Sequence, residues 1–249
     1  MRNTLILICL SAILSLMILT PSHSNAFGSD PEFFRKGSSP YGIPFSEWPR
    51  IWWQYWVGIP NNQHPGVDYD PKKCSVNQQG PVWFLPDVVA KGNEPYTLRE
   101  FSCEIPKGKA ILFPLSTASC WLGTPEFNDI SDKLSPDPKA DADLKTCAIS
   151  PQDLTQLEYV RIDGKDLDTT KLDRVTTSFY NVTIPSNPAK GIFDFGPPGT
   201  SRALADGYFL FLSPLPEGKH TIEFAAVDQV AGPASPKQTR AGNYTVFIK

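Results

Sequence analysis

The sequence has few of the residues that activate a nucleophile for catalysis. It holds only three histidines in 249 residues, and His64 and His220 are the two that lie beyond the N-terminal leader described below. No Gly-x-Ser-x-Gly stretch is present, although many hydrolases use that turn to present a serine to its histidine base. The sequence therefore argues against a Ser-His-Asp hydrolase, and we assign no catalytic residue.

An excess of positive charge is also missing. The chain carries 23 lysines and arginines against 26 aspartates and glutamates, a formal net charge of −3 at pH 7. Nucleic acids and anionic membranes are both recognised through basic surfaces. The charge balance therefore argues against both as partners.

The spacing patterns of metal centres are absent, and we expect no cofactor. No two cysteines are separated by two residues, as they are in many zinc sites. His64, Asp68 and Asp70 lie close together before Cys74, but their order fits neither an EF-hand nor a zinc site. Asp68 and Asp70 are thus weak metal candidates, and capping of turns is the role we favour for them.

Only one apolar run is long, and it lies at the N-terminus. Arg2 precedes the run from Leu5 to Leu19, Pro21 follows it, and Ser24-Asn25-Ala26 provides small residues for a signal peptidase. The run is shorter than the roughly 20 residues that span a bilayer. We therefore predict a signal peptide over residues 1–26, a secreted or periplasmic location and no membrane span in the mature chain; a retained anchor is the alternative.

Cysteine is scarce but even in number once the leader is removed. Cys9 lies in the leader, and the remaining cysteines are Cys74, Cys103, Cys120 and Cys147. Four cysteines in an exported chain predict two disulfides with three possible connectivities. We favour the sequential pairing, because it closes two loops of similar length that each contribute about 3–4 kcal/mol.

One helix is predicted, over Ser46–Gly58. Ser46 can cap its start, Pro49 fits its first turn, and Gly58 can end it in a left-handed conformation. Its aromatic residues are Trp48, Trp52, Trp53, Tyr55 and Trp56. We favour packing of this helix on a core, with a ligand-binding face as the alternative. Trp53 lies off the main aromatic stripe, so we expect its ring at the surface.

The remainder predicts a β-sandwich. About eight apolar or alternating segments read as strands: Val82–Leu85, Phe101–Ile105, Ala110–Phe113, Leu157–Ile162, Tyr180–Ile184, Tyr208–Leu212, Ile222–Ala226 and Tyr244–Ile248. Asp163-Gly164 predicts a hairpin turn, and residues 123–151 read as a polar loop. The fold class is therefore mainly β, an antiparallel sandwich of jelly-roll or immunoglobulin-like type, with a flexible arm over residues 27–44 and a single domain over 45–249.

Several short sequence motifs together carry a resemblance to other proteins. They are Trp52-Trp53-x-x-Trp56, Gln79-Gly80-Pro81-Val82-Trp83-Phe84-Leu85, Ile105-Pro106-x-Gly108-Lys109-Ala110-Ile111-Leu112-Phe113-Pro114 and Gly218-Lys219-His220-Thr221-Ile222. With them the chain resembles a group of secreted bacterial and archaeal proteins without an assigned activity. The resemblance spans residues 46–249, and it implies one domain and an envelope or extracellular location. It implies no chemistry and no functional residue.

The function predicted from these features is that of an exported, non-enzymatic binding or envelope-associated protein. Its ligand would be a saccharide or a protein surface, such as an envelope protein, with Trp53, Trp56 and His64 as candidate ligand-binding residues. One alternative is a glycoside hydrolase that uses two carboxylates. Its acids would come from Glu47, Asp87, Glu100, Glu104, Asp206, Glu223 and Asp228. The other alternative is a structural or adhesive surface subunit that assembles through its sheet edges.

Overall fold

The structure is a computed structural model that describes residues 32–68, 70, 72–89, 94–124, 127, 132–192, 194–229 and 234–249. The predicted signal peptide, including Cys9, and residues 27–31 of the predicted arm lie outside this part of the chain. None of the helices in the described ranges combines the length and the hydropathy of a membrane span. The described residues from 32 onward belong to one compact unit.

The predicted aromatic helix is present as α1, Trp48–Val57. It starts later than predicted, because Phe45–Glu47 forms a 3-10 turn and no side chain caps the helix. Pro49 lies in the first turn as expected. The prediction that Gly58 ends the helix in a left-handed conformation is wrong, because its φ is −72°. A glycine fits there for another reason, since a Cβ would lie 2.8 Å from the Gln54 carbonyl oxygen.

Two further helices are α2, Pro65–Asp68, and α3, Pro138–Gln152. The prediction of a loop over residues 123–151 is therefore wrong over most of its second half. The Asp137 carboxylate accepts a hydrogen bond of 2.8 Å from the Ala140 N–H and caps α3. The helix buries a narrow stripe of Ala140, Leu144 and Ala148. A stripe made mostly of alanine gives little hydrophobic signal in the sequence.

In the described part of the chain, the strands form two five-stranded sheets. They are β1 Val82–Phe84, β2 Tyr96–Ile105, β3 Ala110–Trp121, β4 Gln156–Ile162, β5 Lys165–Asp166, β6 Arg174–Thr176, β7 Tyr180–Ile184, β8 Gly199–Leu212, β9 Gly218–Asp228 and β10 Gln238–Ile248. The first sheet has the order β1-β3-β8-β6, with β7 also on β8, and the second has the order β2-β10-β9-β4-β5. The mainly β sandwich is confirmed. Its pairing is mixed, because β1 with β3 and β2 with β10 run parallel.

The first sheet is buried on both faces around β3. Ile111 and Phe113 belong to the core between the two sheets, whereas Ala110 and Leu112 belong to the core under α1. Trp52 and Trp56 of α1 are 0% exposed in that second core. The helix therefore forms a third layer on the outside of the first sheet, and core packing is the role the structure gives to its aromatic residues.

The disulfides are Cys74–Cys103 and Cys120–Cys147, as the sequential pairing predicted. The second of them joins β3 to α3. The hairpin turn between β4 and β5 is also confirmed, since Asp163 and Gly164 both have positive φ, 52° and 75°.

The described part of the predicted arm pairs with β8. The Phe34 N–H donates to the Phe211 carbonyl at 2.8 Å, and Phe33 forms an isolated bridge with Leu212. The Arg35 guanidinium contacts the Asp173 carboxylate at 2.9 Å. These contacts fix residues 33–35 against the edge of the first sheet.

Candidate functional site

The three residues predicted to bind a ligand are all inaccessible or nearly so. Trp56 and His64 are 0% exposed and Trp53 is 3% exposed. The expectation of a Trp53 ring at the surface is therefore wrong: its Nε1–H donates to the Thr117 hydroxyl of β3 at 3.2 Å. Only Trp53 lines a cavity, which is described below.

His64 packs into the core as a neutral ring. Its ring centroid lies 4.2 Å from that of Trp56. His64 Nε2 lies 3.1 Å from the Trp56 carbonyl oxygen, and the Gly66 N–H donates to Nδ1 at 3.1 Å. Nε2 therefore carries the proton. Burial lowers the pKa of His64 to about 4. In this position the ring cannot touch a ligand.

Asp68 and Asp70 cap the turn that leads to Cys74, as favoured from the sequence. The Asp68 carboxylate accepts from the Asp70 N–H at 3.3 Å, and that of Asp70 accepts from the Lys72 N–H at 2.9 Å. Asp68 also pairs with Lys73 at 2.6 Å, and this hydrogen bond holds the pKa of Asp68 below its usual range. Across the described residues, no three potential ligand side chains cluster as a metal site.

The carboxylates considered for glycoside hydrolysis differ in their exposure. Glu100 and Glu104 are exposed on the outer face of β2. Asp206 is buried and pairs with Arg174 at 2.5 Å. Asp87 and Asp228 come together around Arg240 but are only 3% and 1% exposed. The three buried aspartates are therefore too covered to serve as the acids of a glycoside hydrolase.

A groove with a cavity volume of about 340 Å³ runs along the second half of β3, from Thr117 to Thr124. One wall carries Trp53 and Trp121, which make an edge-to-face contact at 6.3 Å. The opposite wall carries Cys147, Pro151 and Gln152 of α3. Arg240 lies among the lining residues from the second sheet, and Asp194 from the loop before β8.

Residues 194–196 are fixed against the Trp121 side of the groove. The Trp121 Nε1–H donates to the Phe195 carbonyl at 3.1 Å, and the two rings are stacked at 5.8 Å. Gly196 has a φ of +71°, and a Cβ there would lie 2.4 Å from the Gly123 carbonyl oxygen. Only glycine allows this close approach of the two chain segments.

The groove exposes the backbone edge of β3. The N–H of Leu122, just beyond β3, donates to the Arg202 carbonyl of β8 at 3.0 Å. Backbone groups of successive strand residues point to opposite edges. The register of β3 with β8 is continuous from Ser116 to Trp121. The N–H and C=O groups of Thr117, Ser119 and Trp121 therefore point away from β8, toward the groove.

No described strand covers this edge. β1 pairs with β3 only as far as Leu112. The Thr124 hydroxyl donates to the Trp121 carbonyl at 3.3 Å. Among the described residues, none forms a hydrogen bond with the backbone groups of Thr117 or Ser119 on this side. Thr117 and Ser119 thus present two donors and two acceptors to the groove.

Two other edges of the first sheet are closed by glutamine side chains. The Gln78 amide donates to the Phe84 carbonyl at 2.8 Å and accepts from the Phe84 N–H at 2.9 Å. On β7, the Gln54 amide donates to the Thr183 carbonyl at 3.1 Å and accepts from its N–H at 2.8 Å. Each amide takes the place of one residue of a neighbouring strand. It thereby prevents the edge from pairing with another strand at that residue.

The outer edge of β2 belongs to the second sheet and lies at an open surface. The Arg99 guanidinium donates to the Leu98 carbonyl at 3.1 Å, and the Cys74–Cys103 disulfide ties a turn to this strand. Glu100 and Glu104 add charge along it, which is a common protection of edge strands. The β3 edge differs from these edges because it lies between two walls and has no such side-chain cap among the described residues.

A buried polar network supports one end of the groove. Arg240 pairs with the Asp228 carboxylate and donates to the Ser116 hydroxyl at 3.2 Å. Ser116 and Thr155 donate in turn to Asp228 at 2.7 and 2.9 Å. Asp87 lies beside Arg240, and burial raises the pKa of Asp87 to about 6. The network joins β3, β9, β10 and the end of α3, and so fixes the groove walls relative to each other.

Comparison with known proteins identifies no family: no family model matches the chain, and neither does any curated protein. Among solved structures, the chain is similar to one of PbICP-C in complex with falcipain-2, at 10% identity and a TM-score of 0.24, covering 68% of this chain and 100% of that one. It is also similar to the cysteine protease inhibitor EhICP2 from Entamoeba histolytica, at 11% identity and a TM-score of 0.20, covering 62% and 96%. Likeness at this level carries no argument about function.

Proposed function

We propose that this protein binds an extended polypeptide segment, which adds to the first sheet as a strand along the edge of β3 that no described strand covers. The observation that carries the proposal is the set of backbone groups of Thr117 and Ser119, which face a walled groove. In strand addition, main-chain hydrogen bonds supply affinity and pockets for alternate side chains supply specificity. The function is therefore binding of a protein partner.

The spacing of the free groups favours a polypeptide over a saccharide. Donors and acceptors repeat at every second residue of a strand, about 6.7 Å apart, and an extended chain offers the matching repeat. The edge from Thr117 to Trp121 is about 17 Å long, which is the length of a five-residue segment. Aromatic rings that a sugar could stack on are covered, since Trp53 and Trp121 are 3% and 4% exposed.

The walls favour a single segment over the edge of a second folded copy. Trp53 lies on one side of the edge and Gln152 on the other. The edge strand of a second folded copy carries packed layers on both faces, and these layers would clash with the two walls. An isolated extended segment carries no such layers. Alternate side chains of the bound segment would face the aromatic wall and the α3 wall.

A proline at position 119 tests the proposal. Ser119→Pro removes the one N–H that this residue offers to the groove, and proline is tolerated at strand edges. Ser119→Ala is the matched control, because it keeps the N–H and removes only the hydroxyl, which lies 2.8 Å from the Tyr180 hydroxyl. Random heptapeptides are selected by display on the wild-type protein, and their affinities are measured by isothermal titration calorimetry on all three proteins.

We expect the selected peptides to bind Ser119→Pro about fivefold more weakly than Ser119→Ala, the effect of one lost hydrogen bond of about 1 kcal/mol. N-methylation of the peptide at alternate residues provides a second test. Methylation of an N–H that points toward β3 should abolish binding of the peptide, whereas methylation of an N–H that points away should leave the affinity unchanged. Equal affinity for both variants, or equal effects of methylation at all positions, would contradict strand addition.

Two measurements separate the other predicted functions. Light scattering that shows a dimer lost in Ser119→Pro would support pairing between copies and overturn a peptide as the occupant. Saccharide binding on a glycan array that is unchanged in Ser119→Pro would place the function elsewhere on the molecule.

A further inference from the structure

The two disulfides lie in different surroundings. Cys74 and Cys103 are 1% and 0% exposed and belong to the core between the sheets. Cys120 and Cys147 are partly exposed, and both line the groove beside β3. An attacking thiol can therefore reach the second disulfide through the groove, while the first is enclosed by side chains.

We propose that the Cys120–Cys147 disulfide is a site of thiol–disulfide exchange with a low-molecular-weight thiol. The sulfur of the incoming thiolate forms a bond to the Sγ of one cysteine. The Sγ–Sγ bond breaks, and the other cysteine leaves as a thiolate that takes a proton from water. A second thiol then attacks the mixed disulfide, releases the oxidised reagent and leaves both cysteines reduced. The rate of such exchange depends on access to the sulfur.

The fold around this site does not depend on the disulfide alone. Arg202 of β8 binds both carboxylate oxygens of Asp141 in α3, at 2.7 and 3.0 Å. Arg174 donates to the Ile149 carbonyl at 2.9 Å. Leu144 is 0% exposed against the first sheet. These contacts keep α3 in place, so exchange at Cys120–Cys147 is local and reversible and leaves the groove assembled.

Selective reduction tests the site, with Cys74–Cys103 as a control in the same molecule. The folded, oxidised protein is treated with increasing concentrations of dithiothreitol, quenched with N-ethylmaleimide and mapped by peptide mass spectrometry. Circular dichroism at each concentration reports whether the fold persists. We expect Cys120 and Cys147 to become labelled at least about tenfold faster than Cys74 and Cys103, because access limits the reaction. Equal rates, or faster labelling of Cys74 and Cys103, would overturn the proposal.

The variant Cys147→Ser provides an independent measurement. It leaves Cys120 as a free thiol in the groove, and glutathione disulfide should add one glutathione to it in the folded protein. A folded variant whose Cys120 stays unmodified would overturn the proposal, and an unfolded variant leaves the decision to the reduction series. Neither experiment uses a bound peptide, so their outcomes are independent of the proposed strand addition.

Discussion

His64 lies in the core as a neutral ring, and its burial makes the stability of the folded protein sensitive to acid. Its pKa in the folded protein is about 4, against 6.5 for an ordinary histidine. Between these values the unfolded chain binds a proton that the folded protein does not, so His64 makes stability rise with pH from about 4 to 6.5. The full effect is about 3 kcal/mol, at 1.36 kcal/mol for each pKa unit.

The variant His64→Gln should lose this dependence. Its amide can donate to the Trp56 carbonyl but cannot be protonated. We expect the free energy of unfolding of the wild type to fall more steeply than that of the variant as the pH is lowered from 6.5 to 4. Urea titrations at several pH values measure both slopes, and parallel slopes would contradict the buried, neutral ring.

Asp87 has the opposite dependence in an overlapping pH range. Burial raises its pKa from 3.8 to about 6, so the folded protein binds a proton there that the unfolded chain lacks, and stability falls as pH rises from about 4 to 6. One carboxylate oxygen of Asp87 has no hydrogen-bond partner among the described residues. Asp87→Asn should therefore be more stable than the wild type at pH 7 and closer to it at pH 4.

The comparison of thermal midpoints at these two pH values checks this prediction for Asp87. Asp228→Asn is the matched control, because its carboxylate is paired with Arg240 and its removal leaves a buried arginine without that charge. We expect Asp228→Asn to destabilise at pH 7. A stabilising effect in both variants would mean that the network tolerates loss of any carboxylate.

At the scale of elements, the two glutamine caps differ in burial although their geometry is alike. The Gln78 amide is partly buried where it meets Phe84, and it also donates to the Tyr55 hydroxyl at 3.1 Å. The Gln54 amide meets Thr183 at an exposed position. Water can replace an exposed side chain as hydrogen-bond partner but cannot easily replace a buried one.

Gln78→Ala should therefore cost about 1–3 kcal/mol of stability, and Gln54→Ala should cost less than about 1 kcal/mol. Chemical denaturation measures both. Gln54→Ala also opens the edge of β7, so we expect that variant to aggregate faster on incubation at high concentration. Equal losses of stability would show that burial of the caps has no effect.

At the scale of the whole molecule, the Cys74–Cys103 disulfide connects the segment before β1 to the second sheet. It closes a loop with a sequence separation of 29 residues. Replacing both cysteines by alanine should destabilise the protein by about 3–4 kcal/mol, or on the order of 10 °C in Tm for a chain of this size. Differential scanning calorimetry measures the shift. An unchanged midpoint would mean that this bridge does not constrain the unfolded chain.

The sequence predicted much of the architecture because local patterns control it. Alternation of apolar residues placed β7 and β9 with correct inward faces, and Asp163-Gly164 predicted a turn that needs two positive φ angles. The disulfide pairing followed from loop length. The helix α3 was missed, since its buried stripe is mostly alanine and its stability comes from packing on the first sheet.

The candidate site could not be predicted from the sequence for a related reason. The predicted strand ended at Phe113, while β3 continues to Trp121 through Ser116, Thr117 and Ser119. Ser116 belongs to the buried Asp228 network, whereas Thr117 and Ser119 line the groove. Among the described strands, β1 pairs with β3 only as far as Leu112, and no local pattern encodes the length of a neighbouring strand.

The sequence by itself indicated eight of the ten described strands, placed the aromatic helix and favoured the observed pairing of the cysteines, because these depend on periodicity, turn residues and chain length. Tertiary structure alone decided that Trp53, Trp56 and His64 are covered, that two glutamines close sheet edges and that the described strands leave one edge of β3 unpaired in a groove. The physical reason is that burial and edge pairing are properties of contacts between segments distant in the chain.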